Sequence, residues 1–307
     1  MDLSEGFAIP ALLLLTRWIH FASVFVLFGA ALFWIRTPGD FLDARRKTDR
    51  LLRLAAPVAV LSGLGWIAAI VANMAGGLEK TADPQTLALF FTQTQFGPVV
   101  EIRLALFVLA LGLALWPLAA EARQRAMIAI GAALLVDQAW LGHAAEGSGA
   151  WGAFMLGVYC VHVLAAATWL GGLAPLLFAL REACGQDDEK TRRGIIELLL
   201  RFSVIAMPAV ALIVASGLGN VGFRVGASFG RVFLTDYGYV LSAKAGLVAA
   251  MLTLAYYNRF MALPRLRLGQ ASTRQSLRLQ ASVAIELALG LCVLAATALL
   301  GVTPPPQ

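Results

Sequence analysis

The feature that most constrains this chain is a succession of continuous apolar runs, each about 20 residues long, separated by short polar connections. About 20 residues of α-helix cross the hydrocarbon core of a bilayer. Lipid offers no partner to an unpaired backbone N–H or C=O, so only helix bundles and closed barrels span it. Barrel strands alternate apolar and polar residues over about 10 positions, and these runs do not alternate. The chain therefore reads as all-α, a polytopic bundle whose first partner is the lipid bilayer. Composition agrees, with 60% hydrophobic and 14% charged residues where soluble domains carry roughly a quarter charged. A soluble enzyme, a disordered chain, a basic nucleic-acid-binding domain and a disulfide scaffold are all excluded. Cys160, Cys184 and Cys292 are scattered, form no CxxC, and read as small apolar fillers.

Eight spans are predicted, at 8–35, 53–77, 97–119, 125–144, 151–180, 196–220, 236–258 and 280–301. Of the 24 basic residues, 18 fall in the odd-numbered connections, 3 in the even-numbered ones, and Arg17, Arg103 and Lys244 fall inside spans. Basic loops stay cytoplasmic, so both termini are expected outside. The start, Met1-Asp2-Leu3-Ser4-Glu5, lacks the positive n-region of a signal peptide, and the first helix is expected to be retained. Pro304-Pro305-Pro306 ends the last helix.

Two halves of this single membrane domain, 8–144 and 151–301, share an internal repeat. His20 precedes Gly29 by nine residues, and His162 precedes Gly171 by nine. Ser62-Gly63-Leu64-Gly65 recurs as Ser216-Gly217-Leu218-Gly219. Arg103 lies six residues after Gly97, and Lys244 six after Gly238. Because four spans are an even number, both halves insert the same way round, as parallel repeats related by an axis along the membrane normal.

Chemistry has few residues to work with. Of the three histidines, His20 and His162 sit at equal predicted depth, roughly 16–18 Å from the outer face at 1.5 Å per residue, and His143 closes the fourth span at that face. An imidazole in the bilayer core is costly and commonly functional, and it suits copper, zinc or haem iron. Two arrangements stay open. The histidines line one copper path with His143 at its mouth, or His20 and His162 are axial ligands of one haem b between the halves. Met155 lies seven residues before His162, on the same helix face with Tyr159, and offers a soft thioether above it. Arg103 and Asp137 are expected to neutralise each other across neighbouring helices. With Glu101 and Lys244 they form an intramembrane charge network, read either as an ion or proton path, as a clamp for haem propionates, or as a fold-fixing pair. Glu286 has no evident partner, and Arg17 is expected to snorkel outward. No GxxxxGK[ST] or hydrolytic triad is present.

Trp18-Ile19-His20, Gly142-His143-Ala144, His162 with Trp169-Leu170-Gly171-Gly172, Arg201-Phe202-Ser203, Tyr237-Gly238 with Lys244, and Asn258-Arg259 occur in an order that resembles the CopD/PcoD family of bacterial inner-membrane copper resistance proteins. The resemblance covers nearly the whole chain. It implies eight spans in the inner membrane, copper as the handled ion, movement from periplasm to cytoplasm, and a periplasmic copper-binding protein as partner. One half is also distantly similar to HemJ-type membrane proteins, which keeps the haem alternative, and with it an oxidoreductase activity, open at this point.

Overall fold

The computed structural model describes residues 3–35, 41–141, 148–184, 186, 188–225, 232–268 and 273–304. Among them all regular structure is helical. α1 (Leu3–Phe25) runs through a π-helical turn (Val26–Ala30) into Ala31–Phe33. Then come α2 (Leu42–Ala75), α3 (Pro84–Gln93), α4 (Gly97–Leu115), α5 (Ala120–Asp137) and α6 (Gly149–Ala183). They are followed by α7 (Glu189–Val225), α8 (Asp236–Tyr257) and α9 (Thr273–Leu300). A second π turn (Asn258–Ala262) carries α8 on into Leu263–Arg267.

Among the described residues seven helices are long and apolar enough to cross a membrane. The fourth predicted span is the exception. Its helix, α5, holds Glu121, Arg123, Arg125 and Asp137 within 18 residues. It still packs as an eighth member of the bundle, burying Met127, Ile130, Leu134 and Leu135. Its two buried charges are neutralised by partners on other helices, Arg123 by Asp49 and Asp137 by Arg103.

Three connections are more ordered than the sequence suggested. The 78–96 segment contains α3, whose N-cap Asp83 accepts from the Thr86 backbone N–H at 3.0 Å and whose Pro84 fills the first helical turn. α2, α6 and α7 have 34, 35 and 37 residues, well beyond the ~20 that a bilayer needs. Several predicted basic loops are therefore helical extensions, laced by pairs such as Lys47–Asp43 at 2.7 Å and Arg201–Glu197 at 2.6 Å.

The centre of the molecule is the crossing of α1 and α6, the first helix of each half. A Cβ on Gly29 would meet the Ala167 carbonyl and come within 2.7 Å of Gly171 Cα. A Cβ on Gly171 would meet the Phe25 carbonyl and come within 2.7 Å of Gly29 Cα. The two glycines thus face each other, and each touches the residue one turn before the other. That reciprocity is what a two-fold axis running through the contact produces, and only small residues permit backbones this close. Other contacts repeat in the same way. Gly97 packs on the Phe91 carbonyl and Gly238 on the Val232 carbonyl, each six residues back. Gly131 of α5 packs on Phe28, and Gly290 of α9 on Leu170, with Phe28 and Leu170 separated by the same offset as His20 and His162.

Candidate functional site

His20 is 0% exposed and is held by two bonds. Its Nδ1–H donates to the Ala59 carbonyl at 2.9 Å, leaving the Nε2 lone pair to accept from Arg103 Nη1 at 2.9 Å. Arg103, also 0% exposed, uses its Nε–H on Asp137 Oδ2 at 2.8 Å and its second Nη on the Leu134 carbonyl at 3.3 Å. The chain His20–Arg103–Asp137 therefore links α1, α4 and α5. Aromatic rings close it off. Trp66 and Phe107 stand 5.6 Å from the imidazole, and the Arg103 guanidinium lies 5.2 Å from the Trp66 ring. Gly63 makes room for the histidine, since a Cβ there would come within 3.0 Å of its Cε1.

The second half repeats the local frame around its own histidine. His162 Nδ1 pairs with Ser216 Oγ at 3.0 Å, and Gly217 stands where Gly63 stands, a Cβ there lying 3.4 Å from the imidazole Cε1. Ser62 bonds the Val58 and Ala59 carbonyls, and Ser216 bonds those of Leu212 and Ile213, its exact sequence mates. Here the likeness stops. His162 is half-buried rather than sealed, and among the described residues Nε2 has no hydrogen-bond partner. Lys244 faces it electrostatically in the place of Arg103. The residue six after Gly290, where the first half has Asp137 six after Gly131, is Ala296. Among the described residues no carboxylate pairs with Lys244.

The structure thus brings together His20, Arg103 and Asp137. It does not bring His162 to them: the two histidines bond to helices of different halves, α2 and α4 for His20, α7 for His162. Met155 is half-buried on α6, one turn before Tyr159, whose hydroxyl accepts from Gln138 Nε2 at 3.1 Å. Glu101 is exposed on α4 and bonds to none of the cluster. His143 lies outside the described residues. The Arg17 guanidinium sits 5.3 Å and 5.5 Å from the Phe21 and Trp66 rings and lies against Gly301 at the end of α9, where a helix C-terminus favours a cation.

Sequence reasoning missed the partners of Glu286. This 3% exposed carboxylate accepts from Trp169 Nε1 at 3.0 Å and from Asn258 Nδ2 at 3.3 Å. The conjunction of Trp169 with the Asn258-Arg259 pair was visible in the sequence, but nothing there brought α6, α8 and α9 together.

Fold and site define a class: a polytopic helical membrane protein of two related halves, each with a histidine on its first helix, sealed in the first half and half-buried in the second. Residues 8–153 match the family described as "Copper resistance protein D-like, N-terminal domain", and residues 196–300 the family described as "Copper resistance protein D". The chain is 30% identical over 295 residues to inner membrane protein YebZ of Escherichia coli (strain K12), covering 94% of this chain and 97% of that one. It is 28% identical over 305 residues to copper resistance protein D of Pseudomonas syringae pv. tomato, covering 94% and 95%. It is 30% identical over 287 residues to copper transport protein CutJ of Bacillus subtilis (strain 168), covering 90% of this chain and 49% of that protein. No solved structure gives a significant match. The chain belongs to the copper resistance protein D family and is a copper-related membrane protein. None of these findings supports haem, and the His20 lone pair that an axial ligand would need is taken by Arg103.

Proposed function

We propose that this chain carries copper across the bacterial inner membrane, from periplasm to cytoplasm, with the ion meeting the second half. The observation that supports this is that His162 Nε2 has no hydrogen-bond partner among the described residues. A neutral imidazole fixed through Nδ1 presents its other nitrogen as a metal ligand, the usual arrangement of metal-binding histidines. Met155, two turns toward the helix start, adds a thioether suited to Cu(I). His143 is assigned to the mouth of the path and delivers the ion to Met155 and His162. His20 is assigned a structural role, because its Arg103 bond must break before the ring can bind an ion. Both termini are placed in the periplasm, where a copper-binding protein supplies the cargo.

Copper accumulation by cells expressing the chain tests the reading. Wild type is expected to raise cell copper, and His162→Ala is expected to abolish the rise at unchanged protein level. Full accumulation by His162→Ala rejects the path.

A further inference from the structure

A second buried charge stands apart from the histidines. Glu286 lies on α9, facing Trp169 of α6 and Asn258 at the π turn that ends α8. Both partners are neutral donors. Two further oxygens on these helices have no partner among the described residues: Asn258 Oδ1, in the same amide that bonds Glu286, and Ser282 Oγ, one turn before Glu286 along α9 and 7% exposed. Isolated π turns recur at functional sites because the extra residue frees backbone and re-aims side chains.

No cation of a packed element pairs with Glu286 among the described residues, and on α9 itself the nearest is Arg278, eight residues before it. On α6 the nearest ionisable residues to Trp169 along the helix are His162 and Arg181, about 10 Å and 18 Å away at 1.5 Å per residue. On α8, Lys244 is 14 residues before Asn258, about 21 Å of helix. Arg259 points its guanidinium at the Phe260 ring, 6.0 Å away, and makes no ion pair among the described residues. α1 packs on α9 farther along, through Trp18 on the Leu291 carbonyl and Arg17 against Gly301. Among the described residues the carboxylate therefore has no ion-pair partner.

An ionised carboxylate without a cation is among the costliest groups to bury in a membrane. The contrast with the first half sharpens this. Asp137 has its guanidinium, whereas Glu286 lacks one positive charge. In the first half the mates of Trp169 and Glu286 are Leu27 and Met127, both 0% exposed, so the fold does not require polar groups at these positions.

We propose that Glu286, with Asn258 and Ser282, forms a reversible proton-binding site in the second half. The proton binds a carboxylate oxygen and leaves to water as the carboxylate re-forms, and the Asn258 and Ser282 oxygens, which have no partner among the described residues, are the acceptors assigned to it. A sodium-type ion fits less well, since it requires several more oxygen ligands than these helices present. Only the further step, that this proton is exchanged during copper movement, rests on the function proposed above.

The test uses the full chain in lipid nanodiscs without copper. Infrared difference spectra across about pH 5 to pH 9, the span in which buried carboxyl groups ionise, should show a protonated carboxyl C=O band that fades as pH rises. The band should be absent in Glu286→Gln and retained, shifted in pH, in Glu286→Asp. Trp169 reports independently: its emission should follow the same pH curve in wild type, flatten in Glu286→Gln, and the signal should vanish in Trp169→Phe. A Trp169 signal that ignores pH, or one that follows sodium at fixed pH, overturns the proposal, as does a wild-type spectrum without the band. A failure of copper accumulation in wild type would sink the transport reading and leave this result standing.

Discussion

The two halves carry the same frame and opposite electrostatics. In the first, histidine, arginine and aspartate form one closed chain behind Trp66 and Phe107, with each of the three Arg103 nitrogens making a hydrogen bond. In the second, the matching positions hold His162, whose Nε2 has no described partner, Lys244 with no described carboxylate, and Ala296 in place of the aspartate, while Glu286, matched by Met127 in the first half, has no described cation. A buried pair that is complete holds helices together, and it leaves nothing to offer a ligand. A buried charge that is incomplete costs stability and is kept where it binds something. Under the proposed function the difference assigns two tasks to the duplicated scaffold, locking to the first half and binding to the second.

The largest effects should come from exchanging those tasks. His162→Ala should lower copper accumulation at least tenfold and leave the melting temperature nearly unchanged. His20→Ala should do the reverse, leaving Arg103 short of an acceptor and lowering thermal stability clearly. Equal loss of transport in both variants, with equal stability, would erase the distinction between halves. Grafting the missing acid is the sharper form. Ala296→Asp should pair with Lys244, raise the melting temperature and reduce transport, and a carboxylate there that changes neither would refute the assigned register.

Next in size is the lock itself. Arg103→Ala and Asp137→Ala should each destabilise by roughly 3–5 kcal/mol, less if lipid lets the freed group reach water. The double change should cost less than the sum, and strict additivity in a denaturation cycle would show that the bond contributes nothing.

Orientation has no energetic scale but a clear readout. An alkaline phosphatase fused at the C-terminus should be active and a cytoplasmic fluorescent reporter dark, and the opposite pattern would invert the proposed path. The smallest effect should lie outside the bundle, at Asp83. Hydrogen bonds from the Thr86 hydroxyl and backbone N–H hold this carboxyl below its ordinary value. Its contribution is present above the unfolded carboxyl range and is lost as pH falls through the lower folded value. Asp83→Ala should therefore cost a little stability at neutral pH and nothing in strong acid, as thermal melts at the two pH values would show.

Much of this was legible in the sequence because membrane helices obey few rules. Apolar length located the helices, and the His–Gly, Ser-Gly-Leu-Gly and Gly-to-base spacings located the repeat. Arg103 and Asp137 could be paired because two opposite charges at one depth have little choice of partner. The fate of His20 could not be read: whether an imidazole is free depends on which way a neighbouring guanidinium points, and spacing along one helix is silent on that. Glu286 was hidden for a related reason. Its partners come from two other helices, one of them re-aimed by a π turn that leaves no mark in the apolar pattern.

The glycine crossing at the axis has a consequence for ancestry. Had two separate copies met at this contact, every substitution would strike both sides at once, and a residue tuned for binding could not sit opposite one tuned for rigidity. Joining the copies in one chain removes that coupling. Gly29 and Gly171 remain bound to each other's shape, since neither can grow a side chain without displacing the other's backbone. The rest of each half is released to drift, and the crossing is the seam at which an old symmetry survives because geometry forbids its loss.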